Sequence, residues 1–328
     1  MKIIKNTFNH NLSLDNYFIS KNSCFLDIET TGLNSSKDMI YLIGILYLDE
    51  DIKLWTLLQL FSDELNGEKE ILSEMKKLLM GFDTLITYNG NAFDIPFINS
   101  RLRNHNIDYV ISKHNSLDLY TIVKENRYYL NLENLKLKTL ERYLGIFRED
   151  IYSGKDCIDF YYSYIESKDE ELLKRLLNHN YDDLYYMLDT IKIIDIIRSI
   201  KTFTVSIENS SLDFIIEKIQ HKGDSLAFNG DIIGHLNLKI LYYGENYNIN
   251  IDELKNFQIN IECRRGMITP EKECLFIYKE DYYIGNIEDK TSYRVPENVI
   301  LLRTGKNYCL RNIKGVLEYL LSKVMSNH

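Results

Sequence analysis

The apolar pattern of the chain changes period several times, and each change predicts an element. Residues 24–28, Cys-Phe-Leu-Asp-Ile, form an apolar run broken by one acid, the signature of a buried strand. Two longer apolar runs follow at 39–48 and 54–61, separated by Asp49-Glu50-Asp51, and the three predict a meander. Residues 68–80 then space Ile71, Met75, Leu78 and Leu79 as one face of a helix. A short strand at 84–88 and a helix at 95–103 follow, then a helix at 135–144 with Gly145 as its stop. Residues 169–197 read as one long helix broken once near Asn178. A meander followed by β-α units and closing helices is an α/β order. Beyond Ile200 the texture turns to alternation, predicting strands at 236–243, 257–263, 274–278, 282–287 and 299–303 and a last helix at 313–325. Turn signals such as Tyr243-Gly244-Glu245-Asn246 and Arg303-Thr304-Gly305-Lys306 separate some of these strands. The expected organisation is an α/β domain over 1–200 and a smaller, mainly β domain with a C-terminal helix over 201–328.

Composition narrows the class. Apolar residues at 45% and charged residues at 27% are those of a globular protein. No signal-peptide core is present at the start of the chain. No apolar stretch approaches the roughly 20 residues that span a bilayer. The five cysteines include no C-x-x-C pair, against both a disulfide framework and a thiolate zinc site, and a reducing cytoplasm is the expected location. The net charge of −9 falls almost wholly on residues 1–200. It weighs against nucleic acid as partner unless the acids bind cations, which would offset them.

Three acidic clusters carry the candidate chemistry. Asp27 and Glu29 are two apart on a predicted strand and so project from one face. Buried side by side they repel unless a cation lies between them, and hard oxygen donors favour Mg²⁺ or Mn²⁺. The second cluster, Tyr88-Asn89-Gly90-Asn91-Ala92-Phe93-Asp94, ends a strand in a tight turn and opens a helix with Asp94. Alone, that acid is a helix cap. The third is His179-Asn180-Tyr181-Asp182-Asp183, in which His179 and Asp183 share a helix face beside the apolar stripe of Leu177, Tyr181, Leu184, Leu188 and Ile191.

In this order, D-x-E, N-x-x-x-F-D and H-x-x-x-D, the chain resembles the DEDD 3′–5′ exonuclease superfamily of the ribonuclease H-like fold, in its His-type variant. Leu137-Lys138-Thr139-Leu140-Glu141, then Leu144-Gly145, Arg148, Asp150-Ile151 and Gly154, look like the bacterial YprB-type ribonuclease H-like exonuclease domain. The resemblance covers roughly residues 22–200. It implies a mixed sheet flanked by helices and a two-metal hydrolysis of phosphodiester bonds, with Mg²⁺ or Mn²⁺ as cofactor. Asp27 would bridge two ions, Glu29 and Asp183 would complete one site, and Asp94 would support the other. His179 would deprotonate the attacking water. Thr30, Thr31 and Leu33 would contact the terminal nucleotide, and Asn89 and Phe93 the penultimate one. Asp118 matches an acidic position of many relatives and equally suits a helix cap. Tyr185 and Asp189 offer a competing, Tyr-type register for the third motif.

The implied substrate is single-stranded DNA or DNA with a 3′ overhang, in a repair setting, with a helicase as the partner that relatives imply. A 3′–5′ exoribonuclease is the nearest alternative, and a catalytically weak nucleic-acid-binding partner of a helicase is the other. In residues 201–328 the bases Arg303, Lys306, Arg311 and Lys314 interleave with Tyr308, and Arg264-Arg265 adds a pair. Such a mixture suits a single strand as well as an ordinary solvated surface.

Overall fold

The computed structural model describes residues 1–17, 19–130, 132–148, 152–207, 210–234, 239–285 and 287–326. Asp150-Ile151 of the YprB-type pattern, and residues 236–238 of an expected strand, lie outside the described residues. By contacts the chain divides into two compact units. The first holds Met1–Glu125 and Leu132–Ile194, and the second holds Asn126–Asn131 and Asp195–His328.

The first unit begins with β1 (Lys2–Phe8), β2 (Ser23–Thr30), β3 (Ile40–Asp49) and β4 (Leu54–Phe61). Then come α1 (Glu68–Leu79), β5 (Thr84–Thr87), α2 (Asp94–Asn104), β6 (Ser116–Asp118) and α3 (Leu119–Glu125). It closes with α4 (Leu137–Tyr143), α5 (Gly154–Ser167) and α6 (Glu170–Thr190). One mixed sheet runs β1-β4-β3-β2-β5-β6, antiparallel from β1 to β2 and parallel from β2 to β6. Helices cover both faces, as a parallel edge requires. Strand alternation sorts the core. Cys24, Leu26 and Ile28 pack with Ile43 and Ile45 against Ile71, Met75, Ile95 and Ile98 of α1 and α2. Phe25 turns the other way, joining Leu46, Leu57, Leu184 and Leu188 beneath α6. Tyr41 and Phe61 pack under α5 and α6, with Tyr161 stacked on Tyr41 at 4.2 Å. Glu68, at the start of α1, is a buried polar anchor of this unit. Its carboxylate accepts from Ile40 N (2.8 Å), from Arg101 Nε (2.9 Å) and Nη2 (2.6 Å), and meets His105 Nε2 at 2.7 Å.

The long closing helix breaks, but at Ile191–Lys192 and not near Asn178. α6 is continuous through Asn178, and α7 (Ile193–Lys201) follows. Nothing near Asn178 interrupts the backbone ladder, since an asparagine in a well-packed helix lowers propensity only slightly.

The second unit contains β7 (Thr202–Ile207), β8 (Ser210–Lys222), β9 (Ser225–Ile233), β10 (Ile240–Tyr243), β11 (Tyr247–Ile251) and β12 (Asn256–Glu262). They form an antiparallel sheet ordered β10-β11-β12-β9-β8-β7. β13 (Arg264–Thr269), β14 (Lys272–Tyr278), β15 (Val299–Thr304) and β16 (Asn307–Tyr308) form a second, four-stranded sheet. Helix α8 (Leu310–Met325) lays Ile313, Val316, Leu317, Leu320 and Leu321 into a core shared with Phe214, Phe228, Ile259 and Leu302. The strand expected at 282–287 is instead a 3-10 turn, Glu280–Tyr282, followed by irregular chain at residues 283–285 and 287, with residue 286 outside the described residues. Tyr282 is buried and its hydroxyl donates to the carbonyls of Asn246 and Glu262, so the apolar run there anchors a loop.

Several of the expected basic residues are used internally. Arg303 pairs with Glu273 (2.7 Å), Arg264 with Asp281 (3.1 Å), and Lys314 Nζ donates to the Thr202 carbonyl (2.9 Å). Among the described residues no helix is long and apolar enough to cross a membrane.

Candidate metal centre

The site is built on one row of residues that crosses three strands. In register, Asp27 of β2 lies opposite Gly44 of β3, and Gly44 lies opposite Gln59 of β4. Helix α6 rests on this row. A Cβ at Gly44 would stand 2.3 Å from Leu184 Cδ1 and 2.4 Å from Asn180 Oδ1, so only glycine admits the helix this close. Asn180, wholly buried, then bonds to both neighbours. Its Nδ2 donates to Asp27 Oδ2 (2.7 Å) and its Oδ1 accepts from Gln59 Nε2 (3.0 Å). Gln59 Nε2 also donates to the Leu177 carbonyl (2.8 Å), tying the sheet to the helix backbone.

With Asn180 so fixed, its helix neighbours His179 and Asp183 are carried to Glu29, two residues beyond Asp27 on the same strand face. His179 Nε2 lies 3.6 Å from Glu29 Oε1. One ligand atom from each of Glu29, His179 and Asp183 lies within 4.8 Å of the others. His179 is buried, at 7% exposure, which places it further into the fold than a residue beside the stripe. Leu177 and Tyr181, expected within the stripe, are only half-buried, and Leu173, Leu176, Asn180 and Leu184 take its centre.

Asp94 arrives from the opposite direction. β5 pairs with β2 only from Ser23 to Phe25. Further along β2 the carboxylate of Asp94, first residue of α2, stands in for a strand, its Oδ1 accepting from Ile28 N at 3.2 Å. The turn before it is tight. Asn89 is left-handed at φ 68°, and a Cβ at Gly90 would meet the Thr87 side chain at 2.5 Å. Asp118 organises that turn. Its carboxylate accepts from Asn89 N (2.8 Å), Asn91 N (3.0 Å) and, capping α3, Tyr120 N (3.1 Å).

The electrostatics follow from this crowding. Burial pushes the Asp27 carboxyl well above the ordinary carboxylate range, and Asp183, Glu29 and Asp94 push it further, while the Asn180 bond opposes them. Burial likewise raises Asp94 to about 7, with Asp118 and Asp183 adding to it. Such a cluster of oxygen donors with one imidazole has the chemistry of a divalent-cation site.

The structure therefore brings Asp27, Glu29, Asp94, Asp183 and His179 together, with Asp118 beside Asp94. The remaining expected residues have mixed placements. Thr30 Oγ1 donates to the Gly32 carbonyl (2.7 Å), and Thr31 accepts from Met39 N (3.0 Å), so both hydroxyls shape the 30–39 loop. Leu33 is 86% exposed at that loop's tip. Phe93 is half-buried against Phe97, and Asn89 contributes its backbone to Asp118. Tyr185 and Asp189 face elsewhere, with Tyr185 against Phe8 and Tyr181 and Asp189 pairing with His10 (3.5 Å) and Lys192 (2.6 Å). The sequence pattern marks Asn180 and Glu141 only as members of the motifs, with no role of their own, and gives no part to Gly44 or Gln59. A glycine inside an otherwise apolar strand was the available signal for Gly44.

The family model described as the RNase_H superfamily matches residues 24–195, more than half of the chain. YprB of Bacillus subtilis (strain 168), an uncharacterized protein, is 29% identical over 186 residues, which are 55% of this chain and 43% of that protein. The chain thus spans less than half the length of that relative. Among solved structures, the family B DNA polymerase of Pyrobaculum calidifontis is similar over 54% of this chain and 24% of its own, at 15% identity and a TM-score of 0.38. The E. coli exonuclease I–single-stranded DNA complex with bound zinc is similar over 63% of this chain and 54% of its own, at 12% identity and a TM-score of 0.31.

Proposed function

This chain belongs to the RNase_H superfamily, and from that premise we propose that it is a metal-dependent 3′–5′ exonuclease that releases 5′-mononucleotides from single-stranded DNA. One observation carries the reading: Glu29, Asp183 and His179 offer ligand atoms within 4.8 Å of one another, beside a half-buried Asp27 that the neighbouring carboxylates destabilise as an anion. A protein gains nothing in stability from such repulsion, whereas a divalent cation relieves it.

The donor set suits Mg²⁺ or Mn²⁺, because it is carboxylate-rich and lacks thiolate. Asp27, Glu29, Asp94 and Asp183 would hold two such ions, which would supply Lewis-acid activation of water and charge stabilisation at the leaving 3′ oxygen. Asn180 keeps Asp27 oriented and favours its ionised form, through its 2.7 Å bond. His179, next to Glu29, accepts the proton of the attacking water. Leu33, projecting at the loop tip, offers an apolar surface for the terminal base. Asp118 keeps the Asn89–Asn91 turn, and so Asp94, in place.

The test is incubation of the purified chain with 3′- and 5′-labelled DNA and RNA oligonucleotides in Mg²⁺, Mn²⁺ or EDTA. Mononucleotides should leave the 3′ end of DNA only with metal, and Asp27→Asn should abolish release. Absence of release under every metal condition overturns the nuclease reading. Hydrolysis of RNA with DNA left intact overturns the substrate half of it.

A further inference from the structure

Asp183 does not stand alone on its helix. The guanidinium of Arg148 bonds to it, Nη1 donating to Asp183 Oδ1, and the same guanidinium pairs through Nε with Glu141 Oε2 of α4 at 3.0 Å. The side chains of Arg148 and Glu141 are 5% and 1% exposed. Both charges are therefore taken out of water, and each depends on the other. Burial raises Glu141 to about 7 against the opposing pull of Arg148. A buried ion pair that loses one partner leaves an uncompensated charge, so Arg148 is not free to swing away from Glu141 toward solvent.

We propose that Arg148, clamped by Glu141, is a positioning residue that orients Asp183 and moderates how tightly the site holds a divalent ion. The inference rests on the reading of Asp183 as a residue that holds metal. Two effects of opposite sign follow. The bond from Arg148 Nη1 to Asp183 Oδ1 fixes the carboxylate's orientation, which favours turnover. It also shares the carboxylate's charge, which weakens attraction for a cation. Glu141 sets the balance, because its own charge draws the guanidinium away from Asp183.

Two variants separate these effects. Glu141→Gln removes the counter-charge, so Arg148 leans wholly on Asp183. The double variant Glu141→Gln/Arg148→Met removes both buried charges together, which folds more safely than Arg148→Met alone. Mn²⁺ affinity is measured on the full chain by calorimetry, apart from any activity, and turnover on a labelled oligonucleotide at saturating Mn²⁺. Glu141→Gln should weaken Mn²⁺ binding about tenfold. The double variant should bind Mn²⁺ at least as tightly as the parent, while its kcat falls about 10- to 100-fold because Asp183 has lost its orientation. A merely structural pair would move both variants in the same direction. Mn²⁺ affinity unchanged in Glu141→Gln, or equally weakened in both variants, overturns the proposal. The underlying reading fails separately: a parent chain that binds no Mn²⁺, or an Asp183→Asn chain that binds it as well as the parent, removes the metal centre itself.

Discussion

Gly44→Ala would place a methyl group 2.3 Å from Leu184 Cδ1 and 2.4 Å from Asn180 Oδ1. Non-bonded carbon atoms rest about 3.5–4.0 Å apart, so α6 or its side chains must retreat by about 1 Å. Neither neighbour can yield by swinging a free tip. Leu184 and Asn180 are both wholly buried, and Asn180 is bonded to Asp27 on one side and Gln59 on the other. Overpacking of a tight core costs about 1–3 kcal/mol. Stretching the Asn180–Asp27 bond, which has a carboxylate acceptor, adds up to about 1.5–3 kcal/mol. For a unit of this size each kcal/mol lowers the melting temperature by about 2–4 °C, so a fall on the order of 10 °C is expected. Thermal unfolding followed by circular dichroism in EDTA reads it, with Gly154→Ala as comparison. Gly154 has nothing within 4 Å of its Cβ position and opens a helix, so alanine there should be neutral or stabilising by up to about 1 kcal/mol. A Gly44→Ala protein that melts within about 1 °C of the parent would refute the close seating of α6 on the Asp27–Gly44–Gln59 row.

Three further outcomes are expected. Asp94, raised to about 7 when folded, ionises near 4 when unfolded, and Asp27 is raised too. The metal-free folded chain therefore holds protons that the unfolded chain releases, and its stability should fall as pH rises from about 4 to about 7. Melting curves in EDTA should descend across that window, Asp94→Asn should flatten them, and Mn²⁺ should reverse the trend; a metal-free melting temperature that climbs instead contradicts the argument. Glu68→Ala leaves Arg101 without its buried partner and the Ile40 N–H without its acceptor, so urea unfolding should show a loss of about 3–5 kcal/mol, and a loss below about 1 kcal/mol would speak against it. Leu33→Ser, at an 86% exposed tip, should change stability by less than about 0.5 kcal/mol while raising the KM for a single-stranded oligonucleotide about tenfold; an unchanged KM removes Leu33 from the binding surface.

Much of the first unit was legible in the chain because its signals are local. The apolar runs of β2, β3 and β4, the helical spacing of α1 and the stop at Gly145, left-handed at φ 79°, each follow from a few neighbouring residues. The second unit was read less completely. β8 and β9 are joined by Gly223-Asp224 with Gly223 at φ 59°, a short hairpin turn that the sequence does carry. The polar Glu217, Lys218, Gln220 and His221 along β8 hide its strand character, because one face is pinned by pairing and not by apolar alternation. Tyr282 misled in the other direction, since an aromatic run there anchors a loop through a hydroxyl instead of building a ladder.

The candidate site divides along the same line. The chain by itself determined which carboxylates share a strand face and which residues share a helix face, since those follow from periods of 2 and 3.6. Asp27 with Glu29, and His179 with Asp183, were fixed in that way. Only the tertiary structure decided that the two pairs meet. That depends on strand register opposing Asp27 to Gly44 and Gln59, on the missing side chain that lets α6 descend, and on Asn180 bonding across the gap. It also decided that Arg148 reaches Asp183, because the pairing of two buried charges is set by how α4 and α6 pack and not by any local pattern. Contacts between residues distant in sequence arise from packing, and packing is a property of the whole unit.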